Sequence, residues 1–143
     1  YQEDMQMAVV EELLRSEANG TISFGNHTLA AKKKVEDYEH RGDLYKVKTY
    51  AEITKLEKNG MFLYESVPGT SVHELEETGN QVSFKVEGAE DAQITVGLKE
   101  ETAYEVFVQG EAVGTMNTGV SGKLSLSIEL AGADAVSVKI VEA

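Results

Sequence analysis

The chain has 143 residues, 41% of them hydrophobic and 27% charged, which suits one domain with a real core and argues against wholesale disorder. A net charge of −12 argues against a nucleic-acid partner, which needs a basic face, and against adhesion to an anionic membrane. With no cysteine, the chain excludes disulfide frameworks, zinc–thiolate centres, iron–sulfur clusters and cysteine nucleophiles.

The opening, YQEDMQMAVVEELLRSEANG, is acidic and has no signal-peptide core, so the expected location is the cytoplasm. Met7 would make a natural start, which leaves residues 1–6 as an addition or as the remnant of a precursor. Residues 3–17 carry the clearest helical pattern, with Met7, Val10, Leu13 and Leu14 at helical spacing and Asn19-Gly20 as a stop. The expected organisation is therefore an N-terminal helix within 1–18, a β-hairpin segment over 19–70 and a β-sandwich over 71–143.

From residue 20 the apolar period changes to two. Thr21 to Phe24 and Thr28 to Ala31 flank Gly25-Asn26 as a short hairpin. Residues 32–38 and 44–50 read as strands joined around HRGD. Over 49–58 a capping-box spacing, Thr49 and Glu52, competes with the Asn59-Gly60 signal between ITKLEK and MFLYES, and the hairpin is favoured. Pro68, the single proline, marks a turn.

The second half alternates cleanly. Val82, Phe84 and Val86 share one phase, as do Ile94, Val96 and Leu98, then Tyr104, Val106 and Val108. Leu124 to Leu130 and Val136 to Ile140 follow the same rule. Turn clusters every 8 to 12 residues complete a sandwich or barrel signature. The expected fold is all-β, an antiparallel sandwich preceded by a short helix.

GLKEETAYEVFV, residues 97–108, resembles the corner between strands E and F of fibronectin type III and immunoglobulin-like sandwiches. Leu98, Thr102, Tyr104, Val106 and Val108 carry the match. It implies a tyrosine corner, in which the Tyr104 hydroxyl bonds backbone a few residues upstream. The run from GTISFG through LYESVPGT to GKLSLSIEL is similar to short bacterial β-rich proteins, some of which bear the label endosialidase. That label implies a hydrolase of sialic-acid polymers. Such a propeller needs a much longer chain, an S-x-D-x-G-x-T-W box and three arginines. This sequence has no tryptophan and only Arg15 and Arg41.

The remaining motifs favour plain structural readings. Arg41-Gly42-Asp43 reads as hairpin punctuation rather than an adhesion ligand. His27, His40 and His73 lie too far apart in sequence for a metal motif, and the acidic runs at 73–77, 88–91 and 99–101 lack the D-x-D-x-D-G order of a calcium loop. GVSGKLS misses a phosphate loop because Leu124 stands where Ser or Thr is needed. No catalytic residue, cofactor or metal is assigned.

A non-catalytic structural or self-assembling role ranks first. It rests on the N-terminal apolar stripe and on tyrosines too numerous for the first half to bury alone. The candidate interface is Val10, Leu13, Leu14, Tyr45 and Tyr64, and the expected partner is a second copy of the chain. A carbohydrate- or ligand-binding sandwich ranks second, and a sialidase-type hydrolase third.

Overall fold

The computed structural model describes residues 9–143. Among these the chain forms thirteen strands: β1 (Leu14–Ser16), β2 (Ile22–Phe24), β3 (Lys33–His40), β4 (Asp43–Tyr50), β5 (Ile53–Lys58), β6 (Met61–Val67), β7 (Ser71–Thr78), β8 (Gln81–Glu87), β9 (Ala92–Gly97), β10 (Ala103–Val108), β11 (Glu111–Asn117), β12 (Lys123–Ile128) and β13 (Val136–Glu142). They build two antiparallel sheets, one ordered β1-β2-β7-β8-β13-β10-β11 and the other β12-β9-β6-β5-β4-β3. The fold is all-β and sandwich-like. Strands from 19–70 and 71–143 interleave in both sheets, β2 beside β7 and β6 beside β9, so the two segments share one core.

That core follows from alternation. On β8, Val82, Phe84 and Val86 are buried while Ser83 and Lys85 face out, and on β12 Leu124, Leu126 and Ile128 do the same against Ser125 and Ser127. Tyr64 of one sheet meets Phe24 and Phe84 of the other edge-on, at ring-centroid separations of 5.1 and 5.6 Å.

The expected N-terminal helix is not there among the described residues; residues 1–8 lie outside them. Leu14–Ser16 is instead a strand paired in register with Ile22–Phe24. Val10 N–H donates to the Gly25 carbonyl and Gly25 N–H to the Leu13 carbonyl. Leu13 has φ +72°, which no helix tolerates. Val10 and Leu14 reach the core by this pairing, so tertiary burial overrides local helix propensity. Asn19-Gly20 does punctuate the chain, but as the turn of the β1–β2 hairpin.

Other turn readings fare differently. Arg41-Gly42 and Asn59-Gly60 both have two consecutive positive φ angles, 54° and 86°, then 53° and 79°. That is the twist-matched hairpin turn in which glycine at the second position carries no steric cost. The hairpin expected at Gly25-Asn26 does not form, because residues 28–31 leave the sheet and carry the chain across to β3. The acidic run at 73–77 is part of β7. The β11 strand escaped the pattern because nearly all of it is exposed, which erases alternation.

Where β6 crosses to β7, the backbone of Gly69 and Thr70 is buried and needs partners. Gly69 lies so close to the Tyr50 carbonyl that any Cβ would collide with it. Thr54 Oγ1 donates to the Thr70 carbonyl at 2.7 Å and accepts from the Thr70 N–H at 3.1 Å. It also accepts from Thr49 Oγ1, which in turn accepts from Asn26 N–H at 2.9 Å. The Thr70 hydroxyl bonds those of Tyr64 and Ser66, each at 2.7 Å. Replacing Thr54 with Val keeps shape but strands both backbone groups of Thr70. Urea unfolding is expected to show a loss of about 2–3 kcal/mol. Thr95→Val, which removes an exposed hydroxyl pair with Ser125, should cost no more than about 0.5 kcal/mol.

Candidate functional site

The outer face of the seven-stranded sheet carries a groove of about 820 Å³. Its floor is built from two cross-strand rows. In the first, Phe107 of β10 stands opposite Lys139 of β13, Lys139 opposite Ser83 of β8, and Ser83 opposite Glu76 of β7. In the second, Ser137 stands opposite Lys85. Neighbouring strands are about 4.8 Å apart, so each row presents its side chains at that interval.

Two irregularities make the face concave. The β7–β8 ladder shifts register between His73 and Glu76, where Glu74 adopts φ +57°. The β10–β11 ladder shifts between Val106 and Phe107. Bulges of this kind increase local twist and re-aim side chains. One wall is the β1–β2 turn, represented by Asn19 and Thr21; the other is the Gln109-Gly110 turn. Both walls are pinned. Gln109 N–H donates to the Ser137 carbonyl, and Ser137 N–H to Gln109 Oε1, each at 2.8 Å. Glu74 N–H donates to Ser23 Oγ at 3.0 Å, and that hydroxyl donates to the Glu17 carboxylate. The Ser23 bond above all, with Arg15 behind it, holds the Glu17 carboxyl below the usual range.

Electrostatically the groove is mixed. Lys85 approaches Glu74 at 3.7 Å, an exposed pair that contributes little stability. Neither Lys139 nor Glu76 has an ion-pair partner among the described residues. Among the described residues, the floor and walls together offer the Phe107 ring, the unpaired Lys139 and Glu76, the Ser83 and Ser137 hydroxyls and the Gln109 amide. Such a set can bind and orient a polar ligand through directional hydrogen bonds and one stacking surface. Phe107 was visible in the sequence as the residue out of phase with Tyr104. The cross-strand rows were not, because register is set by pairing with distant strands.

The interface residues expected from sequence lie elsewhere. Val10, Leu14, Tyr45 and Tyr64 are buried in this chain's own core, and Leu13 packs against it half-buried. Four of the five side chains are therefore enclosed within this chain, and Leu13 is partly exposed. Burial, partly offset by bonds to Thr70 and Ser66, drives the Tyr64 hydroxyl well above its ordinary pKa. The tyrosine corner is present as a bond: Lys99 N–H donates to the Tyr104 hydroxyl at 3.1 Å, where the chain passes from β9 to β10 in the other sheet.

His27 and His73 interact electrostatically, but no cluster of three or more potential metal ligands occurs among the described residues. His40 Nε2 donates to the Gly20 carbonyl at 3.2 Å, leaving Nδ1 to accept from Ser16 Oγ at 2.7 Å. This pair ties β1 of one sheet to β3 of the other. Arg41 also reaches the Gly20 carbonyl, so the RGD arginine braces the β1–β2 turn. Ser71 Oγ and His27 Nδ1 lie 2.7 Å apart, but Ser71 is fully buried and out of reach of any substrate.

The chain matches no family model, no curated protein and no solved structure.

Burial, and next the charge of His73, hold the His27 imidazole below its usual pKa. The unfolded chain then binds a proton, near pH 6.5 and below, that the fold resists. Stability from this group is complete above about pH 6.5 and falls as pH drops towards the folded value. Urea midpoints at stepped pH should decline over that window, and less steeply in His27→Gln; equal slopes would refute the assignment.

Proposed function

We propose that this chain is a non-catalytic binding module whose groove on the seven-stranded sheet takes a carbohydrate or similarly polar ligand. The observation that carries the reading is the row Phe107–Lys139–Ser83–Glu76, an aromatic ring followed by hydrogen-bonding groups across an open concave face. A pyranose offers one apolar face and a rim of hydroxyls, which that sequence of groups complements. The Tyr104 corner at a sheet-to-sheet crossover supports an immunoglobulin/fibronectin III-like reading of residues 71–143. Binding to a glycan array, followed by titration of the strongest hit, tests the proposal. Phe107→Ala should weaken that hit at least tenfold while leaving the unfolding midpoint nearly unchanged. An array with no binder, for protein shown to be folded, would remove it.

Self-assembly is the second reading, and it moves from the N-terminal stripe to β11. Among the described residues this strand has a sheet neighbour on one side only, and Val113 on it is 59% exposed. An edge strand of this kind is a template for pairing with another chain. Light scattering behind a sizing column should then give a multiple of 15.6 kDa that Val113→Lys reduces to the monomer. A monomeric mass for the unaltered protein at high concentration excludes this reading.

A further inference from the structure

The other sheet carries a feature at odds with the chain's charge. On the outer face of β3, β4 and β5, Lys34 stands directly opposite Lys48, and Lys48 directly opposite Lys55. Three ammonium groups thus occupy consecutive places in one cross-strand row, about 4.8 Å apart at the backbone. Like charges in this position repel and weaken the sheet. Lys32 and Lys46 join them around a cleft of about 100 Å³ whose remaining lining residue is Glu57. Five of the chain's 13 basic side chains gather there, in a protein of net charge −12.

Internal pairing does not neutralise the cluster. Lys46 reaches Glu36 at 3.4 Å and Lys55 reaches Glu57 at 3.7 Å. Lys32, Lys34 and Lys48 have no ion-pair partner among the described residues. Edge protection accounts for Lys34 alone, since lysine on an edge strand discourages pairing with other chains. Lys55 stands opposite Glu65 on its β6 side, but Lys48 lies on an interior strand with a lysine on either side, where a polar uncharged residue would serve the sheet better.

We infer that this face is a binding site for a compact, multiply charged oxyanion, a phosphoryl or sulfo group, seated among Lys34, Lys48 and Lys55. Lysine suits the role because each ammonium is a compact charge with three rotatable donors on a flexible stem. One dianionic group can accept hydrogen bonds from several ammonium groups at once and relieve their mutual repulsion. A single carboxylate would leave the row positive. The cleft's small volume admits one such group and not a bulky ligand. The negative charge elsewhere disfavours a long nucleic acid, whose neighbouring phosphates would meet acidic surface. This site is separate from the groove on the opposite sheet and does not depend on it.

Titration with sodium pyrophosphate, against sodium chloride at matched ionic strength, tests the inference by calorimetry and by thermal unfolding. Pyrophosphate is expected to raise the unfolding midpoint beyond the chloride control, and Lys34→Gln with Lys48→Gln should weaken its binding at least tenfold. The same double substitution should raise the midpoint in the absence of anion, because it removes the repulsion. Stabilisation by chloride equal to that by pyrophosphate would reduce the effect to screening and overturn the site, as would undiminished affinity in the double variant. Sulfated dextran and neutral dextran distinguish the source of the group. Binding of pyrophosphate and not of sulfated dextran assigns a free small ligand, and binding of both assigns a group that a polymer can also present.

Discussion

Everything in this molecule hangs on how one buried backbone segment finds its hydrogen bonds. Where the chain leaves β6 for β7 it must pass from one sheet to the other through the interior, carrying amide groups with it. A buried amide without a partner costs as much as a core cavity. The Thr54 hydroxyl serves the Thr70 N–H and carbonyl together, and Thr49 extends the chain of bonds to Asn26. The β2–β3 connection, the β4–β5 hairpin and the β6–β7 crossover are thereby fixed to one another. Tyr64 then stands where it can bond Thr70 and pack against Phe24 and Phe84 across the sandwich.

With that crossing fixed, the two sheets present outer faces of opposite character. On the seven-stranded sheet, bulges in β7 and β10–β11 curl the surface and set Phe107, Lys139, Ser83 and Glu76 in line. On the six-stranded sheet the β4–β5 ladder is regular, and the β3–β4 ladder keeps register from Lys33 to Val35 before its bulge, which sets three ammonium groups in one line. Neither face depends on a catalytic constellation. The Ser–His pairs that do occur tie strands together or lie beyond solvent's reach.

The signals legible in the sequence are the local ones. The type of every strand from β8 to β10, and of β12 and β13, was legible because alternation of Val, Leu and Ile with Ser, Lys and Glu records a half-buried strand directly. The Asn59-Gly60 and Arg41-Gly42 hairpins were legible because two successive left-handed residues can be supplied locally. The N-terminal stripe misled for an equally physical reason. Val10, Leu13 and Leu14 satisfy helical spacing, but what decides their structure is the ladder to Ile22–Phe24 and the space beneath it. The tyrosines misled likewise: Tyr64 is buried between Phe24 and Phe84 of the facing sheet, and Tyr45 is buried with its ring edge-on to His40.

By itself the sequence determined most of the strand types and the hairpin turns at Arg41-Gly42 and Asn59-Gly60, since each depends on residues near one another. It also determined the acidic balance and the absence of thiol chemistry, which are matters of composition. The tertiary structure alone decided which strands are neighbours, and with that the groove floor, the lysine row and the fate of the N-terminal stripe. The physical reason is register. Side chains far apart in sequence become neighbours only when distant strands pair, and that pairing is chosen by burial of the whole core rather than by any local stretch of residues.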